Sequence, residues 1–349
     1  MEATGTQPRD LKLNLALKIG AGVFIVMVIA LISSIFFNPS PQTIENNPSE
    51  SSPSTIAEST GSAIPAQPIK LLFTGDVMLA RSIGEAIVKG TDPFADVKTV
   101  FSNYNLVCVN LETAIASPET GRAQYGKLYT FKAPVETIAS LKNGGVGLVN
   151  LANNHSMDYG TDALTEGLQL LSAEGIAYVG AGSNSNEAFA PKVIELNGVR
   201  IAFIAVNEIE TYYAAAESDR AGSAYFDRDL IAAAISEARN KADLVIILPH
   251  WGNEYQLKQT SHQQEWARFF IDSGADLVIG NHPHVIQGEE MYKDKHIYYS
   301  LGNFVFDQMT GSNTSRGNLL EIEVSDKNIG NTRLIPITLN AKGFPYLTP

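Results

Sequence analysis

Six short apolar runs constrain the fold of this 349-residue chain more than any other feature of its sequence. Each run is hydrophobic on both faces, which is typical of strands that are buried on both sides. Segments with helical spacing of apolar residues separate several of them. The runs are residues 70–74, 106–109, 146–149, 176–179, 244–248 and 277–279. Their alternation with helices predicts one α/β domain over residues 69–349.

The pattern also predicts that the strands are not all parallel. Asn197-Gly198 separates two apolar runs, residues 192–196 and 199–204, and this dipeptide is a strong signal for a tight hairpin. Three later runs have only loops between them and predict antiparallel additions: residues 296–301, 319–324 and 334–339. We therefore expect mixed sheets in a layered α/β/β/α sandwich rather than a simple doubly wound sheet.

Two local features make sharper predictions. Ser261 and Gln264 have the spacing of a capping box, so a helix is expected to begin at Ser261, before the apolar face of Trp266 and Phe270. Cys108 is the single cysteine, and it lies inside the run 106–109. One thiol excludes an intramolecular disulfide, and the apolar neighbours predict a buried, unreactive side chain.

The amino-terminal part predicts a membrane anchor. Residues 19–37 carry no charge, and at about 1.5 Å per helical residue they reach roughly the thickness of a bilayer core. Arg9, Lys12 and Lys18 precede this segment, and the next basic residue is Lys70. The positive-inside rule therefore predicts a single-pass protein of the cell membrane, with residues 1–18 in the cytoplasm and the main domain outside. A cleaved signal peptide is the alternative, although residues 34–37 lack an A-x-A-like cleavage site.

A linker is predicted between the anchor and the domain. Residues 38–68 are rich in Pro, Ser, Thr and Asn, and such a composition buries too little apolar surface to offset the entropy of ordering. We expect a disordered tether here.

The charge balance limits the possible partners. The chain has a formal charge of −12, and the residues before position 69 contribute −2 of it, which leaves −10 on the domain. An acidic domain without a basic cluster indicates no nucleic-acid partner. Arg81, Lys127 and Lys132 lie near the motifs described next, and we interpret them as solvated surface residues.

Polar side chains follow five of the predicted strands. Because the carboxyl ends of strands in open α/β sheets share one edge, these side chains are expected to converge. They are Asp76, Glu112, Asn154, His155, His250, His282 and His284. Imidazole, carboxylate and amide ligands suit Mn²⁺, Fe²⁺ or Zn²⁺, and a bound ion of this kind supports hydrolysis. The alternative is a metal-free cleft in which Asp76, Glu112 and His155 carry out acid–base catalysis or hold a polymer.

Six motifs occur in an order that resembles the CapA/PgsA family of poly-γ-glutamate capsule synthesis proteins. The resemblance covers nearly all of the predicted domain. The motifs are Gly75-Asp76-Val77-Met78-Leu79, Asn110-Leu111-Glu112, Asn153-Asn154-His155, His250-Trp251-Gly252 with Glu254-Tyr255, Gly280-Asn281-His282-Pro283-His284 and Ser300-Leu301-Gly302-Asn303-Phe304.

The resemblance implies a fold similar to calcineurin-like metallophosphoesterases and a set of metal ligands. By that implication one metal position has four ligands, Glu112, Asn154, His250 and His282. The other has Asp76, Glu112 and His284, because Met78 stands where the phosphoesterase motif has a histidine. We therefore expect one tightly bound divalent ion, with His155 as general acid.

The resemblance also implies a function. It indicates a membrane-anchored extracytoplasmic component that makes or exports poly-γ-glutamate, or a related anionic polymer, together with other membrane subunits. A metal-dependent hydrolase of phosphoester or amide bonds in a polymer or small-molecule substrate is the second hypothesis. The third is a surface binding module unrelated to a polymer.

The predicted topology has a direct test. If residues 19–37 anchor the chain with its carboxyl terminus outside, protease added to intact cells removes the domain. Protection of the domain would reverse the orientation, and a mature amino terminus beyond Phe37 would show that the segment is a cleaved signal peptide.

Overall fold

A computed structural model describes residues 68–308 and 310–348 of the chain. The predicted anchor at residues 19–37, and all of the predicted linker except Pro68, lie outside the described residues. Within the described part, no helix combines the length and the apolar composition that crossing a bilayer requires.

The described residues form eighteen strands and eight helices. The strands are β1 (Ile69–Val77), β2 (Leu106–Leu111), β3 (Ala114–Ile115), β4 (Lys132–Ala133), β5 (Leu148–Asn150), β6 (Ala177–Val179), β7 (Ala181–Gly182), β8 (Lys192–Leu196), β9 (Val199–Asn207), β10 (Gly222–Ser223), β11 (Leu244–His250), β12 (Leu277–Ile279), β13 (Glu289–Tyr292), β14 (Lys295–Tyr298), β15 (Asn303–Val305), β16 (Arg316–Ser325), β17 (Asn328–Leu339) and β18 (Pro345–Leu347). The helices are α1 (Arg81–Val88), α2 (Lys98–Phe101), α3 (Thr137–Gly144), α4 (Gly160–Ala173), α5 (Ser185–Phe189), α6 (Thr211–Ala214), α7 (Arg228–Lys241) and α8 (Ser261–Asp272).

The first large sheet is mixed. Its strands follow the order β18-β17-β16-β1-β2-β5-β6, and β15 also pairs with β1. The strands β1, β2, β5 and β6 are parallel, whereas β16 and β17 add in antiparallel fashion as the sequence predicts. The parallel register places Asp76, Asn110 and Asn150 in one row across the ends of three strands.

The second large sheet has the order β13-β14-β12-β11-β9-β8. The hairpin of β8 and β9 turns at Asn197 and Gly198, which both have positive φ, at 48° and 81°. Those angles are the ones that a two-residue type I′ turn requires, so the hairpin prediction is confirmed.

The two sheets pack face to face, and helices cover their outer faces. Leu71, Phe73 and Cys108 of the first sheet share a buried core with Phe203 and Ile246 of the second. The rings of Phe73 and Phe203 lie 6.4 Å apart across this interface. Two further cores lie outside the sheets, one under α1, α3 and α4 and the other under α7 and α8. The prediction of a mixed α/β fold is confirmed.

Two local predictions are wrong in detail. The capping box of α8 is formed by Thr260 and Gln263, not by Ser261 and Gln264, because both pairs have the required spacing and the extended residue is Thr260. The run that begins at His296 is also not purely antiparallel. Its strand, β14, pairs antiparallel with β13 but parallel with β12, because β13 lies between β12 and β14 in the sequence and reverses the chain direction before β14 begins.

The burial of Cys108 gives a testable prediction. The residue is 3% exposed, and burial raises the pKa of its thiol far above the usual value. We expect a thiol reagent to label the protein only after denaturant is added, as followed by mass spectrometry. Rapid labelling of the native protein would contradict the position of Cys108 between the sheets.

Candidate metal centre

The ends of five strands bring all seven predicted site residues into one buried cluster. We call these residues the Glu112 cluster. Its carboxylates come from the first sheet, since Asp76 lies in β1 and Glu112 directly follows β2. One histidine, His250, ends β11 of the second sheet. The members are Asp76, Glu112, Asn154, His155, His250, His282 and His284.

Glu112 lies at the centre of the cluster. Its Oε1 atom is 3.7 Å from Nε2 of His250, 3.7 Å from Nε2 of His284 and 3.8 Å from Nε2 of His155. These distances are too long for hydrogen bonds, and among the described residues neither carboxylate oxygen has a hydrogen-bond partner. Three imidazoles therefore surround a buried carboxylate without contacting it, which is the spacing of groups that share an ion.

Among the described residues, Nδ1 of His282 also has no hydrogen-bond partner. Oδ2 of Asp76 has only Nδ1 of His284 beside it, at 3.1 Å, and that nitrogen is also 3.0 Å from Oδ1 of Asn303. Buried polar atoms are rarely left without partners, so the Glu112 oxygens and Nδ1 of His282 point to an additional group in the native protein. Two sets of three residues bring their ligand atoms within 4.8 Å of one another: Glu112, His282 and His284, and Asp76, Glu112 and His250. Both sets share Glu112, and the donor chemistry fits a divalent ion.

Two of the histidines are held in strained backbone conformations. His282 has φ of 101° and His284 has φ of 58°, a region that residues other than glycine rarely adopt. Each such residue costs about 1–3 kcal/mol. The surrounding loop therefore stabilises an unfavourable backbone that directs both imidazoles into the cluster.

Asn110 and Asn303 orient the ligands, although neither was assigned a role from the sequence. Nδ2 of Asn110 donates to Oδ1 of Asp76 at 2.8 Å and contacts Nδ1 of His250 at 3.2 Å. Asn303 donates to the carbonyl of Thr314, which leaves its Oδ1 to accept from Nδ1 of His284 at 3.0 Å. That hydrogen bond frees Nε2 of His284 to act as a ligand. Both asparagines stand in the motifs that carry the family resemblance, and this position could have indicated their role from the sequence.

His155 is oriented by a carboxylate that was also not assigned a role from the sequence. Its Nδ1 lies 2.7 Å from Oδ2 of Asp158, and its ring stacks on Phe131 at 4.1 Å. Asp158 in turn accepts from the backbone N–H of Phe131 at 2.6 Å. An imidazole held this way presents Nε2 to the cluster, as a general acid or base must.

Lys127 is not the solvated surface residue that the sequence suggested. Its side chain is 4% exposed, and Nζ lies 2.7 Å from Oδ1 of Asp158. Nζ also donates to the backbone carbonyl of Asn154 at 2.6 Å. One ammonium group therefore contacts the chain on both sides of His155.

Burial controls the protonation of the cluster. It lowers the pKa of His250 and His282 well below the usual value, so both imidazoles are neutral and able to bind a cation. It raises the pKa of Glu112, and the nearby Asp76 carboxylate adds to that effect. Burial also lowers the pKa of His284, but Glu112 and Asp76 outweigh it and raise that pKa to about 9.

Met78 fills the position of the missing histidine. Its side chain is buried, and its sulfur accepts from the backbone N–H of Ala80 at 3.1 Å. The thioether is thus engaged with its own loop, and a soft sulfur is a poor ligand for Mn²⁺. Met78 is therefore not expected to bind the ion. The two sets of ligand atoms within 4.8 Å place His282 with His284 and Asp76 with His250, so they do not follow the division of ligands that the motifs imply, and that division stays a prediction.

A solved structure has the same fold. A hypothetical protein from Thermus thermophilus aligns with a TM-score of 0.52 and 18% sequence identity, covering 77% of this chain and 98% of that one. At this identity the likeness shows the fold alone.

Comparison with known sequences identifies the family. The Capsule biosynthesis protein CapA of Bacillus anthracis is 32% identical over 278 residues, which cover 78% of this chain and 67% of that protein. The PGA biosynthesis protein CapA of Bacillus subtilis (strain 168) is 32% identical over 272 residues, covering 77% and 71% respectively. The family described as Bacterial capsule synthesis protein PGA_cap matches residues 70–308. This chain belongs to that family.

Proposed function

We propose that this protein is a membrane-anchored extracytoplasmic component of the machinery that makes or exports poly-γ-glutamate or a related anionic polymer, and that it uses a divalent ion held by the Glu112 cluster. The observation that carries the proposal is the buried Glu112 carboxylate, surrounded by three imidazoles at 3.7–3.8 Å without a hydrogen-bond partner in the described part of the chain. The two CapA relatives are named for capsule biosynthesis and for PGA biosynthesis, and these names support an anionic capsule polymer.

The ion that we propose is Mn²⁺, Fe²⁺ or Zn²⁺, since the donors are imidazoles, carboxylates and an amide oxygen. Glu112, Asn154, His250 and His282 would hold the tightly bound ion, and Asp76, Glu112 and His284 the weaker position. When bound, such an ion lowers the pKa of a water ligand and stabilises negative charge on oxygen. The two packed sheets with outer helices support a fold of the calcineurin-like metallophosphoesterase type.

The proposed anchor and partners come from the sequence. Residues 19–37 would cross the membrane, and residues 38–68 would tether the domain outside the cell membrane. A tether lets the domain reach other membrane subunits of a capsule synthesis complex, which we propose as its partners. A nucleic-acid partner is not proposed, because the domain is acidic.

One observation favours a second function, hydrolysis of a phosphoester or amide bond. Nδ1 of His155 lies 2.7 Å from Asp158, and its Nε2 faces Glu112. An imidazole oriented by a carboxylate beside a metal centre can donate a proton to a leaving group. Asp76 and Glu112 would then act with His155 in catalysis by positioning the ion, and Met78 weakens the second ion that efficient phosphoester hydrolysis requires.

Loss of one ligand tests the metal centre. We expect the protein to hold about one tightly bound ion and His282→Ala to lose most of it, since His282 brings an unpartnered buried nitrogen to the cluster. Elemental analysis of the purified protein measures this. His262→Ala is the matched control, because His262 is an exposed histidine that is not a member of the cluster. Two tightly bound ions, or no metal in the unmodified protein, would contradict the proposal.

Restoring the missing ligand tests the second position. Met78→His is expected to raise metal occupancy above one ion, and any weak activity on an aryl phosphodiester is expected to rise with it. Elemental analysis and a chromogenic assay measure the two effects. Met291→His, at an exposed strand position, controls for a histidine that binds metal anywhere on the surface. Unchanged occupancy in Met78→His would show that Met78 is not at a ligand position.

Polymer binding tests the function itself. We expect the full-length protein with Mn²⁺ to bind a fluorescently labelled γ-linked glutamate decamer. We expect it to bind the γ-linked isoglutamine decamer, in which each α-carboxylate is a neutral carboxamide, at least tenfold more weakly, because the carboxylates are the groups an ion attracts. Fluorescence anisotropy measures both. Chelation of the metal is expected to remove the difference. Equal binding of the two decamers would count against an anionic polymer.

A further inference from the structure

Lys127 makes three contacts, and two of them hold the site together. Its ammonium group lies 2.7 Å from Oδ1 of Asp158 and donates to the carbonyl of Asn154 at 2.6 Å. Asp158 orients His155, and the Asn154 side chain reaches Nε2 of His250 at 2.8 Å. These contacts fix the ammonium group at the border of the Glu112 cluster.

The third contact faces outward. Oε2 of Glu210 lies 2.7 Å from Nζ of Lys127, and the Glu210 side chain is 40% exposed. Glu210 precedes α6 and therefore reaches Lys127 from a different loop. A carboxylate on an exposed side chain thus occupies the solvent side of an otherwise buried cation.

The contact between Lys127 and Glu210 is easily exchanged on physical grounds. An ion pair with an exposed partner contributes about 1 kcal/mol or less, because water competes for the carboxylate. The Glu210 side chain is 40% exposed, whereas that of Asp158 is fully buried, so the contacts of Lys127 with Asp158 and with the Asn154 carbonyl are the more persistent ones.

We propose that Lys127 binds a carboxylate of the anionic substrate beside the metal centre, in the place that the Glu210 carboxylate occupies in the free protein. This assignment rests on the proposed function and adds a recognition site to it. The contact with Glu210 demonstrates that a carboxylate fits against Lys127 at hydrogen-bond distance. In a polymer that carries a carboxylate on every unit, one group can occupy this place while another approaches the ion.

Removal of the competing carboxylate tests the assignment. In Glu210→Gln the full-length protein with Mn²⁺ is expected to bind the γ-linked glutamate decamer about three- to tenfold more tightly, because the polymer no longer displaces a charged group. Glu217→Gln is the matched control, since Glu217 pairs with Arg220 on the same chain segment and the variant changes the net charge equally. Lys127→Met is expected to bind at least tenfold more weakly, and Lys127→Arg to keep most of the affinity.

The outcomes separate this proposal from the proposed function. If the unmodified protein does not bind the decamer, the polymer function fails. If it binds, but Glu210→Gln and Glu217→Gln change the affinity equally, Lys127 is a structural residue and the assignment fails alone. Metal content is measured for each variant, because Lys127 also contacts Asn154, a proposed metal ligand. If Lys127→Met loses metal, the affinity of Glu210→Gln alone decides whether Lys127 binds the carboxylate. A gain seen only with a glycerol phosphate oligomer would show that the site takes phosphate, and the carboxylate assignment would be wrong.

Discussion

The burial of the Glu112 carboxylate is the constraint on which the rest of the site depends. A carboxylate taken out of water is unstable unless it is protonated or paired with positive charge, and burial raises the pKa of Glu112 for that reason. His250 and His282 are kept neutral by the same burial. Within the cluster only His284, whose pKa Glu112 and Asp76 raise to about 9, offers a positive charge near neutral pH, and it faces two carboxylates. The divalent ion that we propose would resolve this imbalance, and its binding energy would offset the strained backbone of His282 and His284.

The fold meets this constraint through strand register. Asp76, Asn110 and Asn150 lie in one row because β1, β2 and β5 are parallel and aligned at their carboxyl ends. In the other sheet His250 lies opposite Asn207 at the end of β11. Two sheets packed face to face bring these rows together, so side chains from distant parts of the sequence meet at one edge. Apolar side chains packed between the sheets hold the strand ends in place. Asp76 and His250 lie in these strands, and the other members of the cluster lie in the loops that follow them.

The sequence predicted those parts of the fold and site that depend on periodicity and strand ends. Asp76, Glu112 and His250 were found because an apolar run points to a strand, and parallel strands align their ends. The predicted residues of the α8 capping box were wrong by one position, since Thr260 and Ser261 are each followed three residues later by a glutamine. Lys127 was misjudged, because its burial depends on the path of a loop that no local pattern encodes. Asp158, the partner of His155, was missed for the same reason, whereas Asn303, the partner of His284, stands in one of the motifs and was not assigned a role.

The acidity of the domain is compatible with binding of an anionic polymer, because the net charge of the surface and the local positive charges of the site act over different distances. Most of the net negative charge lies on solvated side chains, and at physiological salt its field is screened within about 8 Å. The proposed ion and the enclosed ammonium group of Lys127 would act at contact distance in a medium of lower polarity, where the interaction of two charges is stronger. General repulsion would then reduce unselective adsorption of the polymer along the surface, while the cluster edge would attract individual carboxylates. Such a surface would hold a polyanion at one place and let it move elsewhere, as the proposed function requires.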